Sequence, residues 1–248
     1  MKSAFRASIK TVLPAVIGMV LAPFTAQAQS FSDSLTHPLN PTYWTVSSTT
    51  PGMYGATTGV NGLTVFKNAG FNSPGGLQNV GAHLNLAALG GSIAGDFDVQ
   101  VHFSGANLNG GITNQVELQT FYQNGSMFID SLDNTGGLNA HVFNGSIQAR
   151  DYSVTNAGVF DISRVGGIIT GTYDGTVLFS EANASALTAV DAIVQNNSTN
   201  DNISVSFKDF AISGLNTPAA TPEPGSVALI SGLAVTGFAA LRRNKRRK

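Results

Sequence analysis

Residues 96–104 read DFDVQVHFS. Phe97, Val99, Val101 and Phe103 alternate with Asp98, Gln100 and His102, and Asp96 and Ser104 complete the polar set. A strict period of two predicts a strand with one apolar and one polar face. Ile203, Val205 and Phe207 alternate in the same way with Ser204, Ser206 and Lys208. The next apolar pair, Phe210 and Ile212, is out of phase, which predicts a bulge near Asp209. Further strands are expected at 63–66, 80–86 and 190–195, and no sustained helical period runs through the body of the chain.

Between apolar runs stand the dipeptides that tight hairpins require. Asn124-Gly125 separates VELQTFYQ from SMFID, Asn144-Gly145 separates LNAHVF from SIQAR, and Asp174-Gly175 separates GIITGTY from TVLFSE. Asn-Gly and Asp-Gly supply the positive φ of two-residue turns. The spacing predicts about ten to twelve strands in two packed antiparallel sheets, an all-β sandwich.

Charge adds a second layer. The chain of 248 residues has a formal net charge of -1, but its charges are segregated. Lys2, Arg6 and Lys10 lie at one end, and Arg242, Arg243, Lys245, Arg246, Arg247 and Lys248 at the other. Only Lys67, Arg150, Arg164 and Lys208 stand between them, against every Asp and Glu except Glu223. The middle therefore carries about -9 on formal charges, which argues against a nucleic-acid partner. The absence of cysteine excludes disulfides, thiolate metal sites and cysteine nucleophiles. Roughly 185 residues remain between the charged ends, enough for one domain that relies on its own core.

Both ends read as addresses. Three bases, an apolar run over 12–24 and then Ala26-Gln27-Ala28 predict a signal peptide over residues 1–28, cut after Ala28 by signal peptidase. At the other end an apolar run over 227–241 precedes the basic cluster. As a helix that run reaches about 22 Å against roughly 30 Å of hydrocarbon. Pro222, Glu223 and Pro224 come just before it. Triplet, apolar helix and Arg-rich terminus together resemble the PEP-CTERM sorting signal, with Thr221 where the family often has Val. The resemblance implies export in a Gram-negative bacterium, a transient inner-membrane helix, processing by exosortase, and a destination at the cell surface or in an exopolysaccharide matrix. It divides the chain into residues 1–28, a β-sandwich over 29–214, a linker over 215–221 and the signal over 222–248.

The body carries a second resemblance. FSDSLTHPLNPTYW near its start, FDISRVGGIITGTYDGTVLF and the closing ISVSFKDFAI resemble, in order, segments of concanavalin A-like jelly rolls, over 31–212. That implies the jelly-roll form of the sandwich, found in lectins and glucanases. The glucanases of this group carry an E-x-D-x-(x)-E strand. Here the body has only Glu117 and Glu181, 64 positions apart, and no such strand. Asp96 and Asp98 read as solvated residues of one strand face. There is no G-x-S-x-G elbow, no H-E-x-x-H among His37, His83, His102 and His141, and no phosphate loop.

Softer candidates remain. Asp130, Asp133 and Asn134 offer oxygen ligands at a hairpin end, as calcium would use, and residues 200–202 offer more, though such residues are also plain turn formers. Tyr122 and Tyr152 are candidate platforms for a sugar, while the jelly-roll resemblance implies a place in the core for Trp44. No metal and no cofactor is expected, calcium being the one alternative. These readings combine into an exported, non-enzymatic protein, structural or adhesive in the envelope or matrix, with extracellular polysaccharide as a partner. A lectin-like carbohydrate-binding module is the alternative, and a glycoside hydrolase stands behind both.

Overall fold

The alternating runs become paired strands. The computed structural model describes residues 29–50, 52–67, 78–108, 114–133, 139–143, 147–151, 155–196 and 203–215. Among them fifteen strands run in chain order: β1 Gln29–Asp33, β2 Trp44–Ser48, β3 Tyr54–Gly59, β4 Gly62–Lys67, β5 Gln78–Leu84, β6 Phe97–Leu108, β7 Gln115–Tyr122, β8 Met127–Asp133, β9 Asn139–Phe143, β10 Ile147–Asp151, β11 Gly158–Val165, β12 Ile168–Tyr173, β13 Thr176–Ala182, β14 Leu187–Asn196 and β15 Ile203–Leu215. One short 3-10 helix, Leu86–Leu89, follows β5. The expected signal peptide with Ala26 and Ala28, and the C-terminal signal with Pro222, Glu223, Pro224 and the basic tail, lie outside the described residues. Among the described residues no helix is long and apolar enough to cross a membrane.

The strands form an antiparallel sandwich. An eight-stranded sheet runs β13-β12-β11-β6-β15-β4-β3, with β1 also paired to β15. A seven-stranded sheet runs β10-β9-β8-β7-β14-β5-β2. The number of strands exceeds the expected ten to twelve. The additional ones include β1 (QSFSD), β2 (WTVSS) and β3 (YGATTG), whose short, polar sequences carry little alternation. They are strands because β15, β5 and β4 supply their ladders.

The core lies between the sheets. Phe97, Val99, Val101 and Phe103 of β6 pack there with Val116 and Leu118 of β7 and Val190, Ala192 and Val194 of β14. Trp44 is buried as expected, edge-on to Phe210 at 4.9 Å, with its indole N–H on Asp33 Oδ2 at 2.9 Å. The phase slip in β15 is real: the register shifts between Lys208 and Ala211, and Asp209 takes φ 50°. Asp174 and Gly175 adopt φ 47° and 75°, the paired positive values of a tight hairpin turn between β12 and β13. The turn at Asn144-Gly145 lies outside the described residues, but β9 and β10 on either side of it are paired.

Arg164 of β11 is the largest fully buried side chain among the described residues, and no described carboxylate forms a salt bridge with it. Its Nε donates to Gly95 O at 3.0 Å and its Nη2 to Ile93 O at 3.0 Å. Nη1 donates to Ser185 O, and the guanidinium lies 4.9 Å from the centre of the Phe97 ring. A buried cation satisfied by carbonyls and a ring face ties the chain before β6 to the chain before β14.

Candidate functional site

β2, β5, β14, β7 and β8 are neighbours in the seven-stranded sheet, and successive residues of each strand point to opposite faces. Val80, Ala82 and Leu84 of β5, like Val116 and Leu118 of β7 and Val190, Ala192 and Val194 of β14, face the core. The intervening residues share the opposite face: Thr45 and Ser47, then His83, then Asp191 and Ile193, then Glu117 and Gln119, then Ser131 and Asp133. The register sets Thr45 opposite His83, His83 opposite Asp191, and Asp191 opposite Gln119. Glu117 is opposite Ile193 on one side and Ser131 on the other.

Hydrogen bonds run along this row. Ser47 Oγ lies 2.8 Å from His83 Nε2, and His83 Nδ1 lies 2.9 Å from Asp191 Oδ2. Gln119 donates from its amide to Glu117 Oε2. Exposure falls inward from the β2 edge. Ser47 is exposed, the side chains of His83 and Asp191 are 33% and 14% exposed, Gln119 is at 8% and Glu117 at 1%. The hydrogen bond to Asp191 raises the pKa of His83 above the ordinary histidine value, against the opposing effect of burial. Burial pushes Glu117 up to about 7, although the Gln119 amide pulls the other way.

A carboxyl that titrates near neutrality is suited to give or take a proton. Asp133 and Asp191 stand diagonally across the ladder from Glu117. Diagonal neighbours stand about 7–8 Å apart along the ladder, so their side chains come within reach of one another. The row thus combines hydrogen-bonding groups for hydroxyls with a proton-holding group among carboxylates.

The residues singled out from sequence separate in space. Asp130 and Asp133 lie on opposite faces of β8: Asp133 belongs to the outer face, while Asp130 sits opposite Leu118 and points into the core. Neither carboxyl oxygen of Asp130 makes a hydrogen bond of good geometry, and burial first, then the nearby charge of Asp161, raises its pKa well above the usual range, against the pull of the Asp161 and Thr172 backbone N–H groups. Tyr122 is buried, with its hydroxyl on Thr120 Oγ1 at 3.1 Å and its ring edge-on to Phe128. Its face is therefore spent on the core. Asn134 and Tyr152 lie outside the described residues. Glu181 is exposed on β13 of the other sheet and shares no site with Glu117. Among the described residues no three His, Asp or Glu side chains converge as metal ligands.

Sequence reasoning missed Ser47, His83, Asp191 and Gln119 as a group. Alternation within each strand puts each of them on the outer face. Their meeting depends on the strand order, which no local pattern encodes.

No family model matches the chain, and no curated protein matches it in sequence. Its fold does match solved structures. An alginate lyase from Corynebacterium sp. aligns with TM-score 0.52 and 13% identity over 73% of this chain and 97% of that one. An endo-β-galactosidase from Clostridium perfringens that releases GlcNAcα1-4Gal aligns with TM-score 0.55 and 7% identity over 76% and 62%. The Crh5 transglycosylase in complex with NAG aligns with TM-score 0.53 and 11% identity over 78% and 87%. At such identities the likeness is one of fold, and the two-sheet antiparallel sandwich matches these jelly-roll neighbours. One expectation is corrected by them. A lyase, an endo-galactosidase and a transglycosylase are enzymes, so the fold points against a body that is not one. The absence of an E-x-D-x-(x)-E strand was too narrow a criterion, because carboxyls can be gathered from neighbouring strands.

Proposed function

We propose that this chain is an exported protein that holds a polysaccharide across the outer face of the seven-stranded sheet and acts on it there. The observation that carries this reading is the polar row descending from exposed Ser47 to the buried, proton-holding Glu117. Imidazole, amide and carboxylate groups at graded depth match the hydroxyl-rich surface of a saccharide. Glu117 is the proton donor to a leaving sugar oxygen, and Asp191, the more exposed of its two diagonal neighbours, is the second carboxylate. The carbohydrate-acting enzymes that share the fold support a saccharide as the ligand.

The test is affinity electrophoresis of the full chain in gels containing a mixed-linkage glucan, a galactan or alginate, with release of new sugar ends measured alongside. Retardation in at least one gel is expected. Glu117→Gln should keep that retardation and lower product release by about 100-fold or more. No retardation and no product on any of the three overturns the reading.

Export rests on the two ends. The Pro222-Glu223-Pro224 triplet, apolar run and basic tail serve as a sorting signal cut by exosortase, after signal peptidase has cut behind Ala28. The mature protein then resides at the cell surface or in the exopolysaccharide matrix. Expressed in an exosortase-bearing Gram-negative host, the chain should lose the mass of its tail and reach the surface, and removal of residues 222–248 should abolish both. Unchanged processing and display without those residues would sink the assignment.

A further inference from the structure

At the shallow end of the row, Ser47, His83 and Asp191 form one hydrogen-bonded chain drawn from three adjacent strands. Its polarity follows from the groups. An ionised Asp191 only accepts, so His83 Nδ1 carries the hydrogen. In the neutral ring Nε2 is then the acceptor, and the Ser47 hydroxyl donates to it. Serine on Nε2 and carboxylate on Nδ1 is the order in which an imidazole takes a proton from a hydroxyl while an anion steadies the imidazolium. That constellation is identified by geometry and role rather than by sequence position. The exposures suit the roles, since the serine is open to solvent and the carboxylate is largely withdrawn.

The edge position adds backbone donors. Asn85 N–H bonds Tyr43 O at 2.8 Å and Thr49 N–H bonds Asn79 O at 3.0 Å. Counting in twos between these pairs puts Thr45 and Ser47 in the positions bonded to β5 and turns the N–H of Val46 and Ser48 outward. β2 is the last strand of its sheet among the described residues, so these two groups have no ladder partner there. The N–H of Ser48, next in chain after the serine, is thereby available to a developing oxyanion.

We propose that Ser47 is a nucleophile, with His83 as its base and Asp191 as the positioning residue, and that the edge of this sheet is an esterase site removing acyl groups from a polysaccharide. The identity of the acyl carrier rests on the reading of the preceding section; the nucleophile does not. Ser47 Oγ adds to the ester carbonyl as its proton passes to His83 Nε2. The bond from the acyl carbon to the sugar oxygen breaks, and that oxygen leaves with the proton from His83. Water then adds to the acyl-serine, His83 takes its proton, and Ser47 leaves and regains it. The products are a carboxylic acid and a free sugar hydroxyl. Facing the ring are Thr45 and Ser47 of β2 and Asp191 of β14, with Glu117 of β7 one strand further. No described base faces it.

The full chain is treated with a fluorophosphonate probe, and acetate release is followed from p-nitrophenyl acetate and acetylated xylan. The expected result is one label on the peptide containing Ser47 and hydrolysis of both esters. Ser47→Ala and His83→Ala should each lose about 100-fold or more in hydrolysis, and Ser47→Ala all labelling. Asp191→Asn should slow hydrolysis and move the rising limb of its pH profile to lower pH, because the imidazolium loses its anionic partner. A merely structural Asp191 would leave that limb in place. Absence of label on Ser47, or hydrolysis by Ser47→Ala at the wild-type rate, overturns the proposal. The two readings fail separately. If Ser47→Ala is still retarded by polysaccharide while no serine labels, the esterase falls and the saccharide site stands. If Ser47 labels but no polysaccharide is bound, the polysaccharide falls as the acyl carrier.

Discussion

Asp130 holds a proton where its neighbours hold methyl groups. Its side chain shares the core face of β8 with Phe128 and Leu132, and only the backbone N–H groups of Asp161 and Thr172 approach its oxygens, without good hydrogen-bond geometry. A charge there would cost several kcal/mol, so the acid stays neutral. Its pKa is raised in the folded chain, principally by burial, above the unfolded value of about 3.9. The stability this group contributes is fully present below about pH 4 and is lost as the pH rises from there towards the folded value. Glu117, up at about 7, acts in the same direction, and so does Asp161, up at about 7 through burial and then Asp98. The urea midpoint should therefore fall between pH 5 and pH 8. Asp130→Asn should reduce the fall without abolishing it, and Asp130→Leu should gain about 1–4 kcal/mol at pH 8. An unchanged pH slope in Asp130→Asn would show that the carboxyl ionises without penalty. Nothing in the string DSLD foretells this, since alternation sets Asp130 with the apolar positions of β8 only once the strand's phase is known.

At the scale of elements, what the sequence made legible is what neighbouring residues decide. Alternation at 96–104, turn dipeptides at 124–125 and 174–175 and the phase slip at Asp209 each depend on a few consecutive residues, and each reappears as β6, two hairpins and a bulge. β1, β2 and β3 were not legible, because their stability comes from distant partners rather than from their own pattern. The candidate site is the extreme case. Ser47, His83, Gln119 and Asp191 come from four strands, and Ser47 and Asp191 are 144 positions apart. Only the order β7-β14-β5-β2 makes them one row. The motif carrying Arg164 was visible in FDISRVGG, yet its role was not: the carbonyls of Ile93, Gly95 and Ser185 become its ligands only after the sheets close.

The whole molecule shows what kind of polysaccharide the sheet can accept. Between its ends the chain has four bases, and the fold withdraws two of them from ligands: Arg164 is 1% exposed and Lys67 is 7% exposed. Lys208 belongs to β15 in the other sheet. The outer face of the seven-stranded sheet carries Asp133, Asp191 and the proton-holding Glu117; among the described side chains only His83 is basic there, and Arg150 stands in β10 of the same sheet. A uronate chain laid across β5 and β14 would set its carboxylates against Asp191, whereas a neutral glycan meets hydrogen-bonding groups there. The shared fold with an alginate lyase does not alter this, because at 13% identity the scaffold is common and the face is not. The glucan or galactan gel should therefore retard the chain and the alginate gel should not. With no charges neutralised on binding, the retardation should hold between about 50 and 500 mM salt, where screening would erase an electrostatic contact. Retardation by alginate that fades as salt is added would reverse the assignment and place a cation on the face.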